Sequence, residues 1–488
     1  MDQMKLWRRV LALGLCAASC LTLLGGCAGE GAGKGKDPLA ITIWHYYNSD
    51  QQQIFDQLVQ EYNESVGAEQ GVVVVAHSYG GVNELNEKVL DAVHGRVGAE
   101  EVPDVFASYA DTAYEISSMG RVADISQYLT AEEQARYVTS YLDEGRFEEG
   151  AGFRIFPIAK ATELLFLNET AWEEFCAATG TGEDALTTWE GVTAVSEAYY
   201  DWTDGQTPDV PDDGRAFFGR DAFANYIIIG SMQLGVELFQ VKDGKVTLNV
   251  DEAVMRRLWD NYYVPYVNGW FTAKGRFRSD DIRTGDLVAC VGSSSGASFF
   301  TSEVTQDDGS TYPIVGGVRA LPNFAGTDPM AVQQGAGMVV TKSTAEREKA
   351  AVDFLKWFTQ PEQNVRFAMA SGYLPVTYEG NDTERIALTA EENGQAMSKV
   401  LKESVDIGVA MTGEYALYTS KAFEHGSSAR AVAESSMKDK AAGDRSEVEA
   451  LMASGLSRGE AVARYDTEEN FQAWLQAFRQ ALESAVAE

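Results

Sequence analysis

Residues 156–168, Phe-Pro-Ile-Ala-Lys-Ala-Thr-Glu-Leu-Leu-Phe-Leu-Asn, decide how the chain is divided. Pro157 fixes its own φ and donates no backbone hydrogen bond, while residues 164–167 form a compact apolar run that is typical of a buried strand. Lys160, Thr162 and Glu163 lie between these two parts. Polar residues in this position belong either to a solvated loop or to a ligand-facing crossover between two lobes, and the stretch alone leaves both open.

The N-terminus predicts an export signal followed by a lipid anchor. Residues 1–26 combine a short basic region with an apolar run over 10–24, which is too short to span a membrane. Residues 24–27, Leu-Gly-Gly-Cys, look like a bacterial lipobox, in which Cys27 becomes the first mature residue and carries lipid such as palmitate; a plain signal peptide is the alternative. Residues 27–37 are glycine-rich and predict a flexible tether. We therefore expect an extracytoplasmic protein that is lipid-anchored to the cell membrane.

The length and charge of the chain limit its architecture and its partners. A chain of 488 residues exceeds one usual hydrophobic core, so two lobes are expected. The formal net charge of −34 argues against nucleic acid and anionic membrane surfaces as partners, and is equally explained as solubility. Besides Cys27, only Cys176 and Cys290 follow the leader, and whether they pair stays open. The four histidines are scattered, which argues against a histidine-based metal site. We predict no metal, no cofactor and a monomer.

Aromatic side chains follow three predicted strands of the first lobe. The strands cover residues 41–44, 72–76 and 103–107, and the intervening helices imply a mainly parallel sheet that binds ligands beyond its strand C-termini. Tyrosine rings and a carboxylate at one edge suit sugars, because rings pack on CH-rich sugar faces and hydroxyls donate to carboxylates. Core or surface placement is the alternative for any single tyrosine. The residues at these strand ends are Tyr46, Tyr47, Tyr79, Tyr109 and Asp111.

The second half of the chain supplies its own signals. A buried strand over 287–291 leads into Gly-Ser-Ser-Ser-Gly at 292–296, where Ser294 and Ser295 offer hydroxyls, although a Gly/Ser turn is often only a turn. Asp243-Gly244 predicts a hairpin turn. Ser343 and Glu346 predict a capping box that opens a helix. Phe471, Trp474, Leu475, Phe478 and Leu482 have helical spacing and predict core packing in the second lobe.

Several segments, in the right order, resemble a known family. Residues 157–168 are similar to the first interlobe crossover of the extracellular solute-binding proteins that serve ABC importers, in the branch of maltodextrin-, oligosaccharide- and glycerol-phosphate-binding proteins. Residues 44–47 (Trp-His-Tyr-Tyr), 103–105 (Pro-Asp-Val) and 372–375 (Gly-Tyr-Leu-Pro) resemble further family segments. The resemblance implies an α/β, two-lobe, type II (Venus flytrap) fold. It also implies lobe I over 38–158 and 332–372, and lobe II over 159–331 and the helical 373–488.

The resemblance also implies site residues that the pattern alone does not. It adds Asp221, Phe223, Gly335 and Tyr373 as ligand-binding candidates. It also strengthens the prediction that Ser294 and Ser295 contact the ligand. Two departures speak against glycerol phosphate as ligand: Ala161 stands where relatives often have a ligand-contacting Ser, and Asn83 where that branch has Tyr. The ligand-binding candidates are Tyr46, Tyr47, Tyr79, Tyr109, Asp111, Lys160, Thr162, Glu163, Asp221, Phe223, Ser294, Ser295, Gly335 and Tyr373.

The sequence hypothesis is a lipid-anchored binding protein, not an enzyme. It would capture a sugar or polyol between its lobes and deliver it to ABC permease subunits. One alternative is a surface enzyme acting on glycans, with carboxylates paired among Asp111, Glu163 and Asp221. Another is a sensor that passes ligand state to a membrane receptor. The sequence does not distinguish a monosaccharide, an oligosaccharide, a polyol or glycerol phosphate.

Overall fold

The computed structural model describes residues 37–487, except residues 149, 243, 307 and 395–396. The predicted signal peptide, Cys27 and the predicted tether up to residue 36 lie outside the described residues, as does Asp243 of the predicted turn. No helix in the described ranges has the length and apolar character needed to cross a membrane. The strands are β1 Leu39–His45, β2 Val72–Ser78, β3 Val105–Ser108, β4 Ile155–Phe156, β5 Glu163–Asn168, β6 Phe218–Arg220, β7 Phe239–Lys242, β8 Lys245–Leu248, β9 Ala289–Ser293, β10 Glu303–Thr305, β11 Thr311–Pro313, β12 Gly316–Arg319, β13 Met330–Val332, β14 Gly337–Val340 and β15 Ala416–Tyr418.

A five-stranded sheet with the order β2-β1-β3-β14-β4 forms the first lobe. β1 and β3 are parallel, as the alternation of strands and helices predicts. β14 is antiparallel to both of its neighbours, because it re-enters this sheet after the chain has visited the other lobe. Residues 330–340 do not form one continuous strand: β13 and β14 are separate, and β13 pairs with β15.

A four-stranded sheet with the order β12-β5-β9-β6 forms the second lobe. All six residues of β5 are buried, which confirms the buried strand predicted at 164–167. β5 runs antiparallel to β12 and β9, whereas β6 runs parallel to β9. β7 and β8 pair as a hairpin around residues 243–244, as predicted.

Helices cover both sheets, and most of the late ones belong to the second lobe. The C-terminal aromatic stripe packs as predicted: Trp259 lies between Tyr263 and Trp474, and Trp474 stacks on Phe478. The helices are Ser49–Glu64, Val66–Gln70, Val82–His94, Ala110–Ser118, Ala131–Gln134, Thr139–Asp143, Glu169–Thr179, Trp189–Asp204, Phe223–Gln233, Glu252–Asp260, Tyr263–Val267, Arg278–Arg283, Ala345–Phe358, Pro361–Ser371, Thr383–Glu392, Lys399–Glu414, Gly426–Ala453, Arg458–Val462 and Glu468–Ala487, with 3₁₀ turns at Ile125–Tyr128, Glu183–Leu186 and Ser294–Phe299.

One predicted helix start is wrong by a residue. The helix Ala345–Phe358 has Thr344 as its N-cap, and the Thr344 hydroxyl accepts from the backbone N–H of Arg347 at 3.4 Å. The predicted box of Ser343 and Glu346 is not formed. Ser and Thr are both common N-caps and differ little in preference, so the intrinsic preference does not decide between two adjacent candidates.

Three segments pair where the chain passes between the two sheets. Lys160 exchanges backbone hydrogen bonds with Leu374, and Ala161 exchanges them with Gln334. We call these paired segments, around residues 160–161, 334 and 374, the crossing. They have the main-chain pairing of a short three-stranded ribbon, although they belong to neither sheet.

A cluster of aromatic rings supports the end of β1. The ring of Tyr47 lies 5.3 Å from that of Phe55 and 5.2 Å from that of Phe367. His45 is fully buried beside them, and its Nδ1 accepts from the backbone N–H of Tyr47 at 3.2 Å. Its Nε2 has no hydrogen-bond partner among the described residues. Burial, with a smaller contribution from His77, lowers the pKa of His45 to about 4.

We expect His45 to make the protein sensitive to acid. Below about pH 6.5 the unfolded chain protonates His45, whereas the buried ring of the folded protein stays neutral down to about pH 4. The contribution of His45 to stability is therefore fully present above about pH 6.5, falls between about 6.5 and 4, and levels off below about 4. In urea unfolding, the stability lost between pH 7 and pH 5 should be about 2 kcal/mol smaller for His45→Asn, whose amide keeps the acceptor but does not titrate. His94→Asn, at an exposed position, is the matched control. Equal losses in wild type and His45→Asn would contradict this account.

Candidate functional site

A cavity of about 380 Å³ lies between the two lobes. The first lobe contributes Tyr109 and Asp111 to its lining, and the second lobe contributes Asn225 and Arg430. Residues 332–334 of the crossing line it as well. The cavity therefore lies beyond the C-terminal ends of β3 and β6, where open α/β sheets bind ligands.

Three phenol groups gather beside this cavity. The hydroxyls of Tyr46 and Tyr373 lie 3.3 Å apart. Burial raises the pKa of Tyr46 well above its usual range, and the neighbouring Tyr373 and Tyr109 add to the rise. Burial likewise raises the pKa of Tyr109 and of Tyr373. All three phenols are thus neutral at physiological pH, so each can donate and accept a hydrogen bond.

Asp111 follows one of these phenols, that of Tyr109, by two residues in the sequence. It lies in the first turn of the helix Ala110–Ser118, directly after β3. Burial raises its pKa to about 6; the guanidinium of Arg430 opposes this rise and the carboxylate of Glu144 adds to it. Asp111 is therefore ionised at neutral pH but close to titration, and can accept hydrogen bonds from a ligand.

Lys160 and Thr162 use their polar atoms within the crossing. The side chain of Lys160 is 1% exposed, and its ammonium donates to the Glu144 carboxylate and, at 2.8 Å, to the carbonyl of Gly335. The Thr162 hydroxyl donates to the carbonyl of Val332 at 2.9 Å. Gly335 has a φ of 94°, which a residue with a Cβ rarely adopts. These three candidates fix the crossing itself.

Glu163 belongs to a buried network of the second lobe. Its carboxylate accepts from Arg220 Nη2 at 2.9 Å and from Asn225 Nδ2 at 2.7 Å. Asn225 Oδ1 in turn accepts from Arg430 Nη2 at 2.5 Å. Burial raises the pKa of Glu163, against the opposing effect of Arg220. Glu163 thus reaches the cavity through Asn225 and Arg430.

The serine turn after β9 meets the crossing at Tyr373. A Cβ built on Gly372 would lie 3.1 Å from Cα of Ser295, which shows how closely the two segments approach. The Ser295 hydroxyl lies 3.0 Å from that of Ser293, and the proximity of Ser295 lowers the pKa of Tyr373 slightly against burial. Ser294 is fully buried and its backbone N–H donates to the carbonyl of Thr162.

Four other candidates lie apart from the cavity lining. Tyr47 is fully buried in the aromatic cluster behind β1. Tyr79 is 9% exposed, and its hydroxyl donates to Glu100 at 3.1 Å. Phe223 packs in the second-lobe core. Asp221 accepts from Arg278, and burial raises its pKa against the effect of that guanidinium.

The structure also brings groups to the cavity that the sequence did not indicate. Glu144, Asn225, Gln333 and Arg430 line it, and the Gln333 amide donates to Glu144 at 2.7 Å. None of them lies in a recognisable motif, and they come from segments far apart in the chain. Among the residues that the structure describes, no group of three His, Cys, Asp or Glu could hold a metal ion.

Comparisons with known proteins agree with this architecture. Residues 57–393 match the family model of the bacterial extracellular solute-binding proteins, which confirms the resemblance drawn from the sequence. No curated protein matches the sequence significantly. The chain is similar in structure to the cyclic α-maltosyl-1,6-maltose binding protein of Arthrobacter globiformis, with 16% identity, 92% of this chain and 99% of that chain covered, and a TM-score of 0.64.

Two further solved structures show the same fold. One is UgpB of Mycobacterium tuberculosis in complex with glycerophosphocholine, with 16% identity, 91% of this chain and 99% of that chain covered, and a TM-score of 0.62. The other is the GacH receptor of Streptomyces glaucescens, which binds acarbose, with 14% identity, coverage of 91% and 99%, and a TM-score of 0.61. The predicted two-lobe solute-binding fold is therefore confirmed.

The Glu163 network gives a prediction about stability. Arg220→Met should lower the free energy of unfolding by about 3–5 kcal/mol, because it leaves a buried carboxylate without its cation. The double variant Arg220→Met/Glu163→Gln should recover part of that loss, since glutamine carries no charge. Urea unfolding measures both. Arg385→Met, which breaks an exposed ion pair with Glu379, is the control and should cost less than about 1 kcal/mol. A loss at Arg220 no larger than that at Arg385 would show that the pair is dispensable.

Proposed function

The chain belongs to the bacterial extracellular solute-binding proteins, and from this premise we propose that it captures a sugar or related polyol between its lobes and delivers it to an ABC permease. The observation that supports this best is the interlobe cavity, to which both lobes contribute hydrogen-bonding groups. Neutral phenols, a carboxylate, an amide and a guanidinium offer donors and acceptors on several sides. A polyhydroxylated molecule needs such a set because every hydroxyl both donates and accepts.

The charges around the cavity favour a ligand without net charge. Glu163 is paired with Arg220, and Glu144 with Lys160, so these two carboxylates are already neutralised. The negative charge of Asp111 remains on the cavity wall, and the positive guanidinium of Arg430 lies on the same wall. A neutral sugar matches this balance. The Arthrobacter and Streptomyces proteins bind carbohydrates or carbohydrate analogues, which supports the same class, whereas UgpB binds glycerophosphocholine.

We assign the candidate residues to two roles. Tyr46, Tyr109, Asp111, Ser295 and Tyr373 would contact the ligand, because their polar groups lie at the cavity or beside its phenol cluster. The remaining candidates would hold those groups in position: Tyr47, Tyr79, Lys160, Thr162, Glu163, Asp221, Phe223, Ser294 and Gly335.

The crossing would act as the hinge between lobe I and lobe II. Its segments near 159–162, 332–335 and 372–375 pair with one another, and a few residues at such a place can absorb the rotation of two rigid bodies. Closure would replace solvent by second-lobe contacts on the ligand. Permease subunits would then recognise the closed form.

Membership of an extracellular family implies an extracytoplasmic location. We further propose that Cys27 carries the lipid that retains the protein at the membrane. Intact mass spectrometry of protein from the membrane fraction should show a diacylglyceryl-modified Cys27, and Cys27→Ala should release the protein into the medium. An unmodified Cys27 together with a cut elsewhere would show that the leader is a plain signal peptide.

An enzymatic alternative draws no support from the carboxylates in question. Glu163 and Asp221 each accept from an arginine, an arrangement that suits structural pairs more than an acid and a nucleophile. A sensing role would use the same cavity, and would differ only in the membrane partner.

Two measurements test the proposal together. Mass spectrometry of molecules that co-purify with the protein identifies the ligand class, and calorimetry with a carbohydrate panel measures its affinity. Small-angle scattering should then show compaction when that ligand is added. Neither binding nor compaction across the panel would refute the proposal.

The position of Asp111 predicts a dependence of affinity on pH. Ligand hydroxyls donate to its ionised carboxylate, so binding should weaken as the pH falls through about 6. At pH 5 the affinity should be about tenfold lower than at pH 7.5, since one pKa unit corresponds to about 1.4 kcal/mol. Asp111→Asn should bind more weakly at pH 7.5 and show a nearly flat pH profile by calorimetry. If Asp111→Asn kept the wild-type slope, the assignment of the pH dependence to Asp111 would be wrong.

A further inference from the structure

Two close contacts join the lobes at the outer end of the cavity. Both involve the helix Ala110–Ser118 of the first lobe, which we call the mouth helix. A Cβ built on Gly426 would lie 2.7 Å from Asp111 Oδ1, and a Cβ built on Gly244 would lie 2.6 Å from Tyr114 Oη. A Cβ at either position would displace the end of the facing side chain, so glycine allows the two lobes to approach most closely here.

The two contacts lie on one face of the mouth helix. Asp111 and Tyr114 are three residues apart, a spacing that places side chains next to each other on a helix. Their partners come from two separate parts of the second lobe: Gly426 begins the long helix Gly426–Ala453, and Gly244 lies at the tip of the β7–β8 hairpin. Tyr114 is supported from behind by the edge-on ring of Phe147 at 5.4 Å.

The contact at Gly426 separates two cavities. A second cavity of about 370 Å³ lies beyond it, lined by Tyr114, Glu115 and residues 423–428. Asp111, Thr112, Phe423, Gly426 and Ser427 line both cavities, so the wall between them consists of the mouth helix and the start of the helix Gly426–Ala453. If this wall opened, the two cavities would join.

The inner cavity has the volume of a short saccharide. Its 380 Å³ is near the lower end of the roughly 300–1,000 Å³ that small-molecule sites occupy. A cavity near this lower bound holds a small ligand, and a saccharide of one or two rings belongs to that class.

We propose that the mouth helix, seated on Gly426 and Gly244, closes one end of the binding site and limits its ligand to one or two sugar rings. The inference rests on the proposed function and specifies the length of the saccharide that the site admits. At this end of the cavity, a longer chain would have to pass between Asp111 and Gly426, which approach too closely to admit a ring.

Calorimetry with glucose, maltose and the maltodextrins of three to seven units, and with the matching cello-oligosaccharides, tests the limit. In the series that binds, affinity should be highest at one or two rings and at least about tenfold weaker from three rings onward. Equal or tighter binding of longer chains by the wild type would overturn the inference while leaving the proposed function intact. If neither series binds, the comparison is made with the sugar class that co-purifies with the protein, and no binding of any carbohydrate in the panel would overturn both.

Variants of the wall test its cause. Gly426→Ala places a methyl group against Asp111 and should hold the wall open, so that the preference for short over long saccharides shrinks to about threefold or less. Gly443→Ala is the matched control, because it lies on the same helix and its Cβ meets nothing within 4 Å outside that helix; it should keep the wild-type preference. Tyr114→Ala removes the second contact without adding bulk and should shift the preference in the same direction as Gly426→Ala. An unchanged preference in both Gly426→Ala and Tyr114→Ala would overturn the inference.

Discussion

The buried ammonium of Lys160 is the constraint on which the crossing between the lobes depends. A charge with 1% exposure is tolerated only when its donors are satisfied, and the Glu144 carboxylate and the carbonyl of Gly335 satisfy it. Each partner comes from a different segment, so the ion pair fixes three parts of the chain at one point. Glu144 also lines the interlobe cavity. The hinge and the binding site therefore share the Glu144 carboxylate. A movement of the hinge displaces a group of the binding site, and a ligand that moves this group acts on the hinge.

The same requirement explains why the polar residues of the central stretch do not all serve the ligand. Lys160, Thr162 and Glu163 follow one another closely in sequence, yet each donates to or accepts from buried protein groups. Each of them is 1% exposed, so none reaches a ligand, and these bonds offset the cost of burying them. The groups that remain available are those at the strand ends, where Tyr109 is 40% exposed and Asp111 is only partly covered.

Local apolar patterns were enough to predict β1, β2, β3, β5, β9 and the C-terminal aromatic core, whereas the two lobes were expected from chain length and from the family resemblance. These patterns were not enough to separate Tyr46 from Tyr47. The two rings lie 5.1 Å apart, yet the Tyr46 hydroxyl meets that of Tyr373 whereas Tyr47 is fully buried against Phe367. This difference depends on residues far along the chain, since Tyr46 and Tyr373 are 327 positions apart. Asn225 and Arg430 escaped prediction for a different reason: their role depends on a hydrogen bond between residues 205 positions apart, which no local pattern encodes.

The overall charge of the chain and the charge at the cavity are separate quantities. A formal net charge of −34 favours solubility and would repel an anionic partner at long range, but salt screens that field within about 10 Å at 0.1 M. At the cavity, each fully buried carboxylate has its own cation, and the partly buried Asp111 has Arg430 as a neighbour of opposite sign. What a ligand meets is therefore a set of directional donors and acceptors with little net charge. Selection then depends on where hydroxyls fall and on how far the molecule extends, and so on the fit between the lobes.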